Sequence, residues 1–332
     1  MPFGMFIKLF SCFTFRRVFN ASKIYFSYFI SLLIGKPWLK GFPVAVSIEP
    51  TTSCNLHCVE CLTGKNILTR PKGEINIEVF KKIIDQTHQH LIYLSLYFQG
   101  EPFMHKNIFD LIKIAKEKKI FIETSTNANL IDDEVAKKIV ESDLDSIIIS
   151  IDGTSQETYA SYRSDGQLQK VKDAIKFIDH WKKTLKSKTP FMVLQYLVTK
   201  QNEHQLVEMK QLAKQLHVNA LRFKTIQIID MERGSDLLPV NTRYSRYQKD
   251  KNGKLIPKKK THNRCFRMWR GCVFTWDGYM LPCCFDKNAE HSLGNISNTS
   301  LPELWKSPAY NDFRKHIFRE RKTIRICGNC TE

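Results

Sequence analysis

From residue 44 to about residue 230 the chain alternates short apolar runs with longer stretches of helical period. Val44–Ile48, Ile92–Phe98, Phe121–Thr126, Ile147–Ile151, Phe191–Val198 and Leu221–Ile229 read as strands. Ile77–His90, Asn107–Lys118, Asp132–Ser142, Gln167–Thr184 and Asn202–Leu216 read as the helices between them. The period changes from two to 3.6 at each junction, and Asp132 stands where a helix N-cap belongs. Strands that alternate with helices in this way pair in parallel and carry the helices on the outside. The expected fold is α/β, a partial (β/α)6 TIM-like barrel.

Several strands also carry a polar stripe. Tyr93, Ser95, Tyr97 and Gln99 alternate with Ile92, Leu94, Leu96 and Phe98; Ser146, Ser150 and Asp152 share one face, as do Arg222 and Lys224. A sealed eight-stranded barrel fills its centre with branched aliphatic side chains. A polar inner face predicts an open lumen that holds a ligand.

The rest of the chain divides around this core. Residues 231–264 are polar and basic and read as a linker, with a turn signal at Asp250–Gly253. Residues 265–332 form a smaller unit, with a hairpin around Asp277-Gly278 and a helix over 302–319. Residues 1–43 hold Lys8, Arg16, Arg17, Lys23, Lys36 and Lys40, no acidic residue, and many aromatic rings. Their longest uncharged run, Ile24–Gly35, has twelve residues, short of the roughly 20 that span a bilayer. Lys36-Pro37-Trp38 follows it in place of a cleavage site, which argues against a signal peptide. The segment reads as basic amphipathic helices packed on the body; the alternative is peripheral contact with an anionic membrane through residues 1–40.

The whole chain carries 51 Lys and Arg against 33 Asp and Glu, a formal charge of +18. The excess is spread over Lys-Lys pairs on helix faces, and no nucleic-acid-binding motif accompanies it, so no nucleic-acid partner is expected.

Three cysteines, Cys54, Cys58 and Cys61, stand just past the end of the first strand, where barrel active sites form. Three thiolates on one tight loop can hold three irons of a 4Fe–4S cluster and leave the fourth open. A structural zinc site closes with four ligands, and His57 is poorly spaced to be the fourth. This Cys-x3-Cys-x2-Cys pattern resembles the radical SAM superfamily, and the resemblance covers residues 44–230. Gln99-Gly100-Glu101-Pro102 resembles the family's Gly-Gly-Glu-Pro motif, with Gln99 in place of the first glycine. Asn127 matches the third-strand motif, and Ser150 and Asp152 match the fourth. Arg163 is similar to an arginine that pairs with the S-adenosylmethionine carboxylate, and Leu197 and Val198 would lie near the adenine. Glu60 departs from the aromatic residue that the family prefers before the third cysteine.

The resemblance implies an enzyme that cleaves S-adenosylmethionine reductively to a 5′-deoxyadenosyl radical, which abstracts a substrate hydrogen. It also implies an electron donor such as flavodoxin or ferredoxin and a reducing, cytoplasmic compartment. Cys265, the Trp276-Asp277-Gly278 hairpin, Cys283-Cys284 and Cys327-Gly328-Asn329-Cys330 resemble a SPASM or shortened twitch domain. That implies one auxiliary 4Fe–4S cluster on Cys265, Cys283, Cys327 and Cys330, with Cys272 or Cys284 as alternative ligands. A closed four-cysteine set favours electron transfer, hence oxidation (dehydrogenation or cross-linking) of a small molecule or peptide. The 43 residues ahead of the first strand are shorter than the leader-binding domain of many peptide-modifying members. The competing reading is a non-catalytic iron–sulfur or zinc protein that binds nucleic acid or a membrane surface through its basic residues.

Overall fold

The computed structural model describes residues 8–259 and 261–331; residues 1–7, Lys260 and Glu332 lie outside the described residues. Strands β1 (Ala45–Ile48), β2 (Tyr93–Ser95), β3 (Phe121–Thr126), β4 (Ser146–Ser150), β5 (Phe191–Val198) and β6 (Ala220–Thr225) lie in chain order and pair in parallel. The helices between them follow the expected apolar stripes. Ile77–Thr87 buries Phe80, Ile83 and Ile84, one face of a 3.6-residue period, and Asn76 caps it by accepting from Glu78 N. Asp132 caps Asp133–Glu141 by accepting from Val135 N. Burial of these stripes on the outer face of the sheet forms the main core.

The segment after β6 includes a two-stranded antiparallel hairpin, β7 (Tyr247–Lys249) with β8 (Leu255–Pro257), closed by the Asp250–Gly253 turn. A second hairpin, β9 (Gly271–Phe274) with β10 (Met280–Leu281), turns at Asp277-Gly278, where Gly278 has φ of 85°. It is also part of the barrel sheet. β9 pairs in parallel with β1, from Ala45 opposite Gly271 to Ile48 opposite Phe274. The result is one eight-stranded sheet in the order β10-β9-β1-β2-β3-β4-β5-β6. Gly271 permits that approach, since a Cβ there would stand 2.1 Å from Ala45 O.

The N-terminal segment closes the opposite end of the barrel from the cysteine loop. Cys12 is buried against Phe121, with Tyr93 and Phe191 beside it, each the first residue of its strand. Helix Phe15–Ile34 then runs along the body and buries Arg17, Asn20, Ile24, Ser27 and Ser31. Asn20 bonds both the N–H and the carbonyl of Phe42 at 2.9 Å. Thus the segment packs on the body through a stripe that is mostly polar.

Candidate active site

The chain leaves β1 at Ile48 and enters the cysteine loop through Glu49, which is fully buried. Its carboxylate takes a bidentate bond from Arg70 at 2.8 and 2.6 Å and a bond from Trp276 N at 3.3 Å. Glu49 therefore locks the base of the loop to the second unit and is not a lumen base. Further on, His57 N donates to Ser164 O at 3.2 Å and Val59 N to Tyr162 O at 3.1 Å. These bonds pin the loop to the segment that carries Arg163.

The ends of β2, β3 and β4 converge on the same loop. After β2, Gly100 has φ of +73°, and a Cβ there would stand 2.3 Å from Thr51 O. Only glycine allows this strand end to lie against the loop. Glu101 N donates to Ser53 O at 2.7 Å. The Glu101 carboxylate turns inward, taking bonds from Thr126 Oγ1 at 2.8 Å, Asn127 N at 2.7 Å and Phe103 N at 3.3 Å. Pro102 opens a short 3₁₀ turn, and Gln99 is buried with Nε2 on Phe98 O. Asn127 Nδ2 reaches Asn55 Oδ1 at 2.8 Å and lies 3.9 Å from Cys54 Sγ. Ser150, at the end of β4, is buried. Asp152 holds Arg163 Nε at 2.6 Å through one oxygen and accepts from Leu197 N at 2.7 Å through the other. The Arg163 guanidinium then reaches Cys58 Sγ at 3.9 Å. Burial opposes the charge on Arg163, but Asp152 and Cys58 beside it override that and keep it cationic. Asn127 and Arg163 thus meet the cysteine loop directly, and Gly100 and Glu101 meet it through the backbone.

Burial raises the thiol pKa of Cys54, and that of Cys58 to about 12, with the neighbouring cysteines raising each further and Arg163 lowering both. Thiols crowded on one loop become thiolates together only around added positive charge. Among the described residues no three His, Cys, Asp or Glu side chains converge closely enough to hold a single ion. A cluster, whose irons each take a separate thiolate, fits this donor set. Leu56, Tyr162, Ile226 and Ile228 bury the loop, and Leu197 packs on it. Val198 points the other way, into the core under the helices. Glu60 accepts from Ile229 N at 2.8 Å, tying the loop to the chain beyond β6.

In the second unit Cys265, Cys327 and Cys330 are buried around Arg321, whose guanidinium bonds Cys330 Sγ at 3.3 Å. Cys283 joins them: burial pushes its thiol well up, and Cys284, Cys265 and Cys327 push it further. Burial raises Cys327 to about 11 while Arg321 lowers it. A buried cation among four thiols suits an anionic cluster. Cys272 is buried in β9, and Arg314 is the charged group acting on it. Cys284 Sγ takes a bond from Arg267 at 3.5 Å and borders a cavity of about 100 Å³ with Cys283, Ser47, Tyr93 and Ser95, which joins this unit to the lumen.

Glu123 is a lumen residue that the sequence reading passed over. Its carboxylate accepts from Tyr93 OH and, at 2.9 Å, from Ser146 Oγ. Burial, then Glu123, pushes both Tyr93 and Tyr97 upward. A lone acidic residue inside the strand Phe121–Thr126 was the available signal.

One consequence of the Glu101 setting is measurable. Burial raises its pKa from 4.5 to about 6 despite three donors. The folded state therefore binds this proton more tightly than the unfolded chain. That stabilisation is full below pH 4.5 and is lost as the pH rises through about 6, a change of about 2 kcal/mol. Glu101→Gln removes this component, so thermal melts across that window should fall less steeply with pH for the variant.

A parallel barrel with a three-cysteine loop at its mouth, backed by a cysteine-rich second unit, defines a class of iron–sulfur enzyme. The model of the radical SAM superfamily matches residues 48–213, and that of the SPASM iron–sulfur cluster-binding domain matches residues 265–331. The chain belongs to the radical SAM superfamily and carries a SPASM domain; its cofactors are 4Fe–4S clusters and S-adenosylmethionine. It is 26% identical over 299 residues to a tungsten-containing aldehyde ferredoxin oxidoreductase cofactor-modifying protein of Pyrococcus furiosus, covering 80% of this chain and 82% of that protein. It is 25% identical over 315 residues to the antilisterial bacteriocin subtilosin biosynthesis protein AlbA of Bacillus subtilis, covering 87% and 67%. Streptococcus suis SuiB bound to S-adenosylmethionine shares the fold, with a TM-score of 0.61 at 15% identity over 87% of this chain and 72% of that one.

Proposed function

We propose that this radical SAM enzyme oxidises a peptide or small molecule, with the SPASM cysteines holding one auxiliary cluster that accepts the substrate's electron. The convergence of Gly100, Glu101, Asn127 and Arg163 on the Cys54–Cys61 loop carries the reading. A cluster on Cys54, Cys58 and Cys61 supplies the electron that splits S-adenosylmethionine. The protein's own part is orientation and exclusion. Arg163, held by Asp152, would offer a fixed cation to the amino-acid carboxylate of the nucleotide, and backbone carbonyls at 99–101 would receive its amine. Glu101 and Asp152 act as positioning residues, since their oxygens are occupied within the protein. Leu56, Tyr162 and Leu197 keep water from the reacting bond.

A cleft of about 670 Å³ runs between the loop after Cys61, the chain beyond β6 and the second unit, bordered by Leu62, Ile229, Met231, Phe285, Lys287 and Asn329. It is large enough for a peptide segment or a small molecule. AlbA is named for a bacteriocin and the Pyrococcus protein for a cofactor, which supports both substrate classes. A flavodoxin or ferredoxin of a reducing cytoplasm would supply the electron for that site.

The test is anaerobic reconstitution with S-adenosylmethionine and dithionite. Formation of 5′-deoxyadenosine is expected, and with substrate present a product lighter by two hydrogen atoms. Cys327→Ala with Cys330→Ala should lower iron from about eight to about four per chain and stop product, while 5′-deoxyadenosine still forms. An isomeric product of unchanged mass would remove the oxidation.

A further inference from the structure

Helix Phe15–Ile34 is inverted for a helix packed on a globular body. Its buried stripe is Arg17, Asn20, Ile24, Ser27 and Ser31, whereas Phe15, Phe19, Phe26, Phe29 and Leu33 are 85%, 53%, 59%, 57% and 67% exposed. Phe10, Phe13, Val18 and Trp38 extend this apolar surface. An exposed aromatic stripe of this extent is costly in water and marks an interaction surface. From residue 8 to residue 48 every charged side chain is Lys or Arg. Lys23 Nζ lies 4.3 Å from the Phe19 ring centroid and Lys40 Nζ lies 5.4 Å from that of Trp38. A groove beside the stripe is bordered by Arg16, Lys23, Lys40, His90 and Lys306.

We propose that this face docks the protein on the surface of an anionic lipid bilayer. The rings enter the boundary between headgroups and acyl chains, and Arg16, Lys23, Lys36 and Lys40 meet lipid phosphates. Among the described residues no helix is long and apolar enough to cross a membrane, so the helix lies in the plane of the interface. A second copy of the chain is a poor occupant, because two such faces would oppose cation to cation. The cysteine loop lies at the other end of the strands from Cys12 and stays uncovered. The contact is independent of the radical chemistry.

The test is vesicle flotation of the full-length protein. Vesicles of phosphatidylglycerol and phosphatidylcholine in equal parts should carry it up, and phosphatidylcholine alone should carry roughly tenfold less. Two triple variants, Phe19→Ser/Phe26→Ser/Phe29→Ser and Lys23→Glu/Lys36→Glu/Lys40→Glu, should each float roughly tenfold less on the anionic vesicles. Their iron content and 5′-deoxyadenosine formation should equal those of the parent. These side chains are exposed, so folding is retained, and circular dichroism checks it. The proposal is overturned if the parent does not float, or if both variants float as the parent does. It is also overturned if the parent stays with the lipid-free fraction and sediments as a dimer that the phenylalanine variant dissolves. A catalytically silent parent that floats would sink the reading of the reaction and leave the docking intact.

Discussion

Replacing Cys54, Cys58 and Cys61 together by alanine is expected to remove about four irons per chain and to lower 5′-deoxyadenosine formation by on the order of 10³-fold or more. Each single replacement should come close to the triple, because residues that act as one unit are not additive. The loss should be chemical and not a failure to fold. The loop is held by His57 N on Ser164 O, Val59 N on Tyr162 O and the Arg70 bond to Glu49, none of which needs a sulfur. Burial of the Cys58 thiol, raised to about 12, also disfavours a stray thiolate in the apoprotein, and alanine there removes only the long 3.9 Å contact from Arg163, whose Nε stays on Asp152. The melting temperature of the apoprotein should therefore move little. Iron analysis, the assay for 5′-deoxyadenosine and a thermal melt on the same preparation separate the two explanations. Undiminished 5′-deoxyadenosine from the triple variant would refute the assignment of the site.

The parts of the site that could be read beforehand are those encoded by local spacing. Three cysteines within eight residues can only form a compact loop, and the six-strand alternation places that loop at the mouth of the barrel. What escaped reading depends on partners distant in the chain. β9 is four residues long, and nothing in Gly271–Phe274 says that it will lie parallel to Ala45–Ile48. The β7–β8 hairpin reads as linker because each strand has only three residues and lies within a basic, polar stretch. Glu49 finds its ion-pair partner in Arg70, 21 residues away. Glu60, a misfit beside the third cysteine, finds its role in a bond to Ile229 N, 169 residues on. Val198 and Leu197 were read as neighbours at one site, yet strand alternation sends them to opposite faces.

Arg17→Leu should be strongly destabilising, at about 3–4 kcal/mol. In the sequence Arg17 is one more basic residue in a basic segment. In the fold its side chain is buried, and its guanidinium donates only to carbonyls among the described residues. It bonds Cys12 O at 2.7 Å, Lys118 O at 2.7 Å, Lys119 O, and His88 O at 3.0 and 2.8 Å. His88 and Lys118 are the C-cap residues of Ile77–Thr87 and Ile108–Glu117. Both helices end with unpaired carbonyls and the negative end of their dipoles at this point. One cation therefore satisfies two helix ends and ties them to Cys12, which plugs the barrel. Burial disfavours the charge and lowers its pKa, so the carbonyls must compensate for its desolvation. Leucine would occupy part of the space but strand those carbonyls without donors, the costlier half of losing a buried hydrogen bond. Arg17→Lys should recover only part of the loss, because an ammonium cannot span both helix ends as the planar fork does. The expected readout is a fall in melting temperature of about 4–6 °C for leucine and a smaller one for lysine. Proteolysis should open at residues 8–14, while 5′-deoxyadenosine formation at low temperature persists, since the cysteine loop lies at the far end of the strands. Equal melting temperatures for leucine and the parent would mean that the barrel's lower end holds together without this staple.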